Sequence, residues 1–458
     1  MRELTVALEQ TVETLLDARK YQTLRDILET MNAADVAALF EELPVEKLPV
    51  LFRLLPKELA AETFVEMDSE EQELLIRGFS DSELKEVVDE LYVDDAADIV
   101  EEMPANVVKR ILRQADPEMR KTINEILKYP EDSAGSIMTT EFVTLRPNMT
   151  CEEAIKRIRR TGIDKETIYT CYVTRDDKRL IGYVTLKDLL LSDDDEVVSD
   201  IMDENVISVT TKDDQEDVAQ SLAKYDFMAL PVVDKENRLV GIVTVDDAVD
   251  VIQEEATEDI EKMAAMLSSD RPYLKQGIFE VWKQRMPWLA LLMILATFTS
   301  MIITGFENAL HSQVVLTAFI PMLMGTGGNS GSQSSVSIIR GLALKEIEFS
   351  DITRVIWKET RVSFMCGLTL AAACFVKIQL IDRLLLGNEE ITIMVSCVVC
   401  VTMFLTVMCA KLVGCALPLL ADKIHLDPAV MASPFITTIV DAASLLIYFE
   451  VAKLLLKI

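Results

Sequence analysis

Asp441 lies deep in an apolar run at residues 429–455, about 12 residues from its start and so about 18 Å along a helix axis. That depth is near the middle of a bilayer, where an acid costs roughly 2.5–3.5 kcal/mol on insertion scales. A carboxylate kept there at such a cost suits a hard cation, which binds through oxygen. Thr437, Thr438 and Ser444 add oxygens around it, and Pro434 can loosen the preceding turn. Lys377 and Lys411, in other apolar runs, are candidate partners for a purely structural acid.

A second apolar run holds Pro321, Gly325, Gly327, Gly328, Asn329, Gly331 and Gln333, with serines and a threonine between them. Freed backbone groups at membrane depth are tolerated only against protein or a water-filled cavity. The expectation is a broken helix lining a pathway, with Asn329 and backbone carbonyls facing an ion. The alternative is a close helix–helix contact made by small residues. A phosphate loop is excluded, because the Gly-Lys-Ser/Thr ending is missing. Cys397 and Cys400 have redox or zinc spacing, but no histidine or second thiol pair completes a metal site.

The elements that must place these residues divide the chain in two. Residues 1–270 hold 63 Asp and Glu against 30 Lys and Arg, a net of -33; residues 271–458 hold 13 and 15, a net of +2. The acidic part opens with an amphipathic helical pattern and no secretory signal. The apolar part carries five runs, 286–306, 314–338, 362–386, 391–420 and 429–455, each long enough to cross a bilayer. Arg271, Lys275, Lys283 and Arg285 precede the first run, and Arg340, Lys345, Arg354, Lys358 and Arg361 lie between the second and third. The positive-inside rule makes both clusters cytoplasmic. The expected topology is a multi-pass protein of the cell membrane, N-terminus cytoplasmic and C-terminus outside. A net charge of -31 argues against nucleic acid as a partner. No nucleophile–base pair or hydrolase metal spacing points to an enzyme.

Residues 137–252 repeat internally. Ile137-Met138 recurs as Ile201-Met202, and the stretch 180–189 recurs as 239–248. Each copy reads as strand, helix, strand, Gly-containing turn, strand and helix, which resembles a tandem pair of CBS regulatory domains. Thr185 with Asp188, and Thr244 with Asp247, match the motif that holds a nucleotide ribose in many such pairs. An empty pocket with a structural threonine and a helix-starting aspartate fits these residues equally well. Residues 1–135 show short helical patterns punctuated by Pro44, Pro56 and Pro104, so a helical solenoid is expected. After the repeat, Asp247, Asp250, Glu254 and Glu258 fall on one helix face and repel one another. A helix at that point bridges the repeat and the first apolar run, as a gate would.

The run at 321–344, the Thr437–Asp441 segment and the domain order together resemble the MgtE family of magnesium channels over essentially the whole chain. The fold this implies is multi-domain: a cytoplasmic α-helical solenoid N domain (1–135), a tandem α/β CBS pair (136–252, copies 137–193 and 201–252), a connecting plug helix (253–270) and a five-helix transmembrane domain (271–458). The resemblance also implies a homodimer in a lipid bilayer, with Mg²⁺ both transported and regulatory. The pore acid maps to Asp441, with Asn329 in the same pathway. Regulatory Mg²⁺ ligands map to Asp94, Asp98 and Glu62 in the N domain, to Gly135 at its end through the carbonyl, and to Glu216, Ala223, Asp226, Asp247 and Asp250 in the CBS pair. On the plug they map to Glu255, Glu258 and Asp259, and on the link before the last span to Asp427. ATP is the expected nucleotide at the CBS pair. The rival readings are a CBS-regulated transporter of another divalent cation, an anion channel, and a membrane-anchored nucleotide sensor.

Overall fold

The structure is a computed structural model and describes residues 2–163, 165–269, 273–307, 311, 313–388, 390–431 and 433–457. It divides into two compact units, Met1–Ile252 and Gln253–Ile458.

The first unit opens with ten helices, from α1 (Arg2–Asp17) to α10 (Pro117–Ile126). Among them are α3 (Ala33–Glu41), α5 (Lys57–Val65), α7 (Asp81–Val88), α8 (Val93–Glu102) and α9 (Ala105–Gln114). Pro44, Pro56 and Pro104 each occupy the residue just before a new helix. Proline lacks the N–H that a helix interior needs, so it separates short helices cleanly. Helix α3 packs on α5, α5 on α7, and α7 on α9, the alternate stacking of a solenoid. Leu39, Phe40, Leu51, Phe64 and Leu75 fill the resulting core.

Two three-stranded sheets follow. Strands β1 (Thr144–Leu145), β2 (Thr170–Thr174) and β3 (Leu180–Thr185) form one, and β4 (Val209–Thr210), β5 (Ala229–Val233) and β6 (Leu239–Thr244) the other. In each the first pair is parallel and the second antiparallel, with a register shift at the same place, Val173/Thr174 and Val232/Val233. The helices of this pair are α11 (Cys151–Thr161), α12 (Leu186–Leu191), α13 (Val198–Ile201), α14 (Gln215–Tyr225) and the start of α15 (Val245–Met263).

The repeated methionines and glycines fit each other across the copies. A Cβ at Gly182 would stand 2.8 Å from the Met202 sulfur, and one at Gly241 would stand 2.5 Å from that of Met138. Each copy's leading methionine therefore seats on the other copy's sheet, where only glycine leaves room. The bridges Thr139↔Ile242 and Tyr183↔Asp203 extend the same exchange.

In the second unit the long helices are α16 (Ile278–Gly305), α17 (Ile320–Ala343), α18 (Ile352–Lys377), α19 (Ile393–Lys423) and α20 (Ser433–Leu456). Each overlaps one of the five apolar runs, with α18 starting ten residues before its run. By length and apolarity together, three of the described helical segments qualify as spans: Ile278–Gly305, Phe349–Leu385 and Ile393–Lys423. Helices α17 and α20, of 24 residues each, are about 36 Å long, enough for a core of about 30 Å. Helix α19 is the centre of this unit, packing on α17, α18 and α20.

The expected break in the second run does not occur. Helix α17 is continuous from Ile320 to Ala343, with Pro321 in its first turn, where a missing N–H costs nothing. Its glycines serve close approach instead. A Cβ at Gly327 would meet Thr406, Ser444 and Val440; one at Gly328 would meet Thr437; one at Gly331 would meet Ile436 and the Ala410 carbonyl. Gly414 of α19 lies against the backbone of Gly331 itself. Neighbouring helices held this closely keep the glycine-rich helix intact.

Candidate metal centre and pore acid

Helix α8 carries Asp94 and Asp95 in its first turn, where acids complement the positive end of the helix. Asp94 is nonetheless 6% exposed, and its Oδ1 has no hydrogen-bond partner. Carboxylate oxygens of Asp94, Glu141 and Glu166 lie within 4.8 Å of one another. Two ionised carboxylates at that separation repel by roughly 3.5 kcal/mol at an effective dielectric of 20.

The surrounding acids respond accordingly. Burial, then the charges of Asp247, Asp95 and Glu166, holds the Asp94 carboxyl well above the usual carboxylate range. Burial, then Asp247 and Asp246, raises Asp95 to about 7. Desolvation, then Asp247, raises Asp98 to about 8. Burial, then Asp95 and Asp246, raises Glu166 to about 8. Asp247 rises to about 6, mainly through burial, although the Thr244 hydroxyl donates to its Oδ2 at 2.6 Å and opposes the shift.

These shifts fix a pH dependence for the metal-free protein. The folded state keeps protons on these acids at pH values where the unfolded chain has released them near pH 4. Stability then falls as pH rises from about 5 to about 8, because the native state binds more protons there. Thermal unfolding in chelator across that range is expected to show the melting temperature dropping as pH rises, with added Mg²⁺ flattening the slope.

The structure brings Asp94, Asp98 and Asp247 into one cluster and leaves other expected ligands apart. Glu62 is exposed on α5, and its carboxylate has no hydrogen bond or ion pair among the described residues. Gly135 is held by packing, since a Cβ there would meet Tyr129 at 2.5 Å and the Thr211 carbonyl at 2.8 Å. Glu216 opens α14 and accepts from Gln220 at 2.9 Å; Ala223 lies in its last turn. Asp226 caps α14 in the left-handed conformation, φ 54°. Asp250 is exposed and Glu255 half-buried on α15.

Lys262 donates to Glu258 at 2.6 Å and to Asp427 at 2.7 Å, so an ammonium stands between two expected metal ligands. Burial, then the Asp427 charge, raises the neighbouring Asp259 above the usual range.

Asp95, Glu141, Glu166 and Asp246 escaped sequence reasoning. A signal for two of them exists in the repeat. Glu141 stands where the second copy has Asn205. Glu166 lies in a segment of eight residues between α11 and β2, whereas the matching segment between α14 and β5 has three.

A cavity of about 200 Å³ between the two sheets is lined by Thr170, Tyr172, Tyr183, Thr185, Asp226 and Phe227, among others. Thr185 and Asp188 form a reciprocal cap at the start of α12 beside it. Thr244 and Asp247 do not line this cavity.

In the second unit Asp441 is half-buried on α20, about 12 Å past the start of that helix. It makes no hydrogen bond or ion pair among the described residues. Neither candidate partner reaches it: Lys377 pairs with Asp382 at 2.8 Å, and the buried Lys411 donates to Ser334, which in turn donates to Glu359. The nearby hydroxyls donate to their own helix, Thr437 and Thr438 to the Pro434 carbonyl and Ser444 to that of Val440. Their lone pairs stay available as acceptors. On α17, Gly325, Asn329, Gln333, Ser337 and Arg340 form an exposed stripe at helical spacing. All eight cysteines are free thiols, Cys397 and Cys400 included.

Residues 320–451 match the MgtE divalent cation transporter family, 31–132 the MgtE intracellular N domain, and 134–194 and 198–254 the CBS domain. A magnesium transporter MgtE of Thermus thermophilus is 40% identical over 440 residues, covering 95% of this chain and 96% of that protein. One of Bacillus subtilis is 33% identical over 438 residues, covering 96% and 95%. The crystal structure of the cytosolic domain of the Mg²⁺ channel MgtE with ATP superposes with a TM-score of 0.51 at 40% identity, covering 53% of this chain and 99% of that one. The soluble part of a magnesium transporter superposes with a TM-score of 0.52 at 32% identity, covering 55% and 99%. With three family models matched along it and 40% identity to a relative over nearly its whole length, the chain belongs to the MgtE family of divalent cation transporters.

Proposed function

We propose that this protein is a magnesium-selective channel that admits Mg²⁺ across the cell membrane and is closed by Mg²⁺ bound on its cytoplasmic side. The observation that carries the reading is Asp441, an acid without a partner at membrane depth, in a chain 40% identical to a magnesium transporter. The domains are the N domain at 1–135, the CBS pair at 136–252, the plug at 253–270 and the membrane domain at 271–458. The N-terminus is cytoplasmic, and five crossings leave the C-terminus outside.

The polar stripe on α17 supports a homodimer. Asn329 and Gln333 exposed at membrane depth need polar company, and a second copy supplies it around a shared water-filled path. Mg²⁺ sheds water reluctantly and is usually held through retained waters and a few carboxylates. Two copies of Asp441 then grip a hydrated ion. An inside-negative potential drives entry with about 2.3 kcal/mol per charge per 100 mV, doubled for a dication.

The gate is electrostatic. Without Mg²⁺ the acids around Asp94, Asp98, Asp247 and Asp250, and those at Glu255, Glu258, Asp259 and Asp427, repel and leave the plug free. Mg²⁺ between them draws them together. Shifting a 1:99 equilibrium to 99:1 takes about 5.5 kcal/mol of differential binding, within reach of several weak sites. Glu62, Gly135, Glu216, Ala223 and Asp226 are assigned to the same regulatory set. The cavity beside Thr185 and Asp188 receives an adenine nucleotide, in line with the ATP of the similar cytosolic domain.

Divalent flux into proteoliposomes, at low and high Mg²⁺ on the cytoplasmic face, tests the reading. Mg²⁺ entry that falls when that face is loaded is the expected result. Tight ATP binding without any divalent flux would instead make the chain a membrane-anchored nucleotide sensor.

A further inference from the structure

We propose that Asp94, Glu141 and Glu166 together bind one Mg²⁺, tying helix α8 of the N domain to two segments of the first CBS repeat. Neither glutamate belongs to the ligand set assigned above. The site deepens the feedback reading and rests on it for the identity of the ion.

Three carboxylates near one another are not in themselves a site, and here the burial decides. Asp94 is 94% removed from solvent, and its Oδ1 meets no donor. The Oε2 of Glu166 is also buried without a hydrogen-bond partner. No lysine, arginine or histidine among the described residues pairs with Asp94 or Glu166. Proteins rarely bury such oxygens unsatisfied, because each loses its water without recompense. A cation among the three oxygens supplies what the protein does not.

The backbone fixes the two glutamates relative to each other. The Glu166 N–H donates to the Glu141 carbonyl at 2.9 Å, joining the insertion before β2 to the stretch before β1. Asp94 comes from a different element, the first turn of α8. An ion there contacts both the helical solenoid and the CBS repeat, so its binding depends on their relative placement.

The chemistry selects a hard dication. Carboxylate oxygens without thiol or imidazole suit Mg²⁺, Ca²⁺ or Mn²⁺ and disfavour zinc or copper. Three ligands of octahedral Mg²⁺ include at most one opposite pair, about 4.1 Å apart, and their other pairs are adjacent at about 2.9 Å. The three oxygens, all within 4.8 Å, therefore draw together by up to about 2 Å when they take the ion. Waters complete the octahedron, as Mg²⁺ prefers. Asp95 and Asp247, whose charges act on both Asp94 and Glu166, deepen the negative potential without being needed as ligands.

The test uses the full-length protein in detergent, with Mn²⁺ as a paramagnetic probe counted by EPR and displaced by Mg²⁺. Glu166→Gln and Glu141→Gln are each expected to lose one Mg²⁺-displaceable Mn²⁺ per chain, or to bind it at least about tenfold more weakly. Both variants are also expected to melt higher than the wild type in chelator, through relieved repulsion, and to gain less from added Mg²⁺. Unchanged stoichiometry with affinity within about twofold overturns the site. So does a variant that keeps the full Mg²⁺-dependent rise in melting temperature, which would mean carboxyls sharing protons. Vesicle flux separates this claim from the broader one. A wild type that passes no Mg²⁺ yet loses one Mn²⁺ on Glu166→Gln refutes transport and retains the site.

Discussion

Asp441→Asn is expected to cut Mg²⁺ entry into proteoliposomes by on the order of a hundredfold, while the protein remains folded and melts no lower than the wild type. The two halves of this expectation have one cause. The carboxylate is half-buried on α20, and among the described residues no base or hydrogen-bond donor meets it. Nothing in the fold therefore depends on its charge. An acid at bilayer depth costs roughly 2.5–3.5 kcal/mol, and the neutral amide removes most of that cost. The travelling ion loses much more. A unit charge about 4 Å from another is worth about 4 kcal/mol at an effective dielectric of 20, and a dication doubles the figure. Losing even 3 kcal/mol of that at the narrowest point slows passage by more than a hundredfold. Asparagine keeps the size and the oxygen, so a steric explanation is removed. Flux measured with a magnesium-sensitive dye, beside a melting curve of the same sample, checks both halves. Wild-type flux in the variant would dismiss Asp441 as the pore ligand, and a collapsed melting curve would make it a structural acid.

Some of this architecture was plain from the chain, and the reasons are physical. Apolar runs long enough for a bilayer overlap α16 to α20, because burial in lipid or protein requires continuous apolar length. The CBS pair was legible because both copies repeat the methionine and the glycine that pack against each other, Met138 on Gly241 and Met202 on Gly182. The glycine-rich run was misread because glycine permits two opposite outcomes, a broken helix and a tight helix contact. What decides between them is a backbone 83 residues away, at Gly414. The regulatory acids were reached through resemblance, since Asp94 and Asp98 look like any acidic helix start. Glu141 and Glu166 were missed for the same reason. Their significance comes from burial beside α8, a property of the folded chain that local charge patterns do not carry.

Gly414→Ala is expected to disrupt the membrane unit more than any other single methyl group added to its glycines. The obstacle is main chain: a Cβ on Gly414 runs into the carbonyl group of Gly331, with the Gly331 Cα at 3.1 Å. A side chain could rotate away, but a helix backbone can yield only by moving α17 and α19 apart. Overpacking of this kind costs typically about 1–3 kcal/mol, and more where backbone must shift. Gly331 is confined in turn by Ile436 and Val440 of α20, so the displacement reaches the helix that carries Asp441. Gly414→Ala should therefore lower the melting temperature by several degrees and reduce flux, and Gly414→Leu should yield no monodisperse protein. The matched control is Gly325→Ala, at a position where a Cβ meets nothing within 4 Å. There alanine's higher helix propensity is expected to leave stability unchanged or raise it by up to about 1 kcal/mol. Size-exclusion profiles and melting curves of the three variants in the same detergent decide the matter. Equal tolerance at positions 414 and 325 would mean that α17 and α19 are not in close contact, and the breaking of α17 into a pore loop would again be the better reading of its glycines.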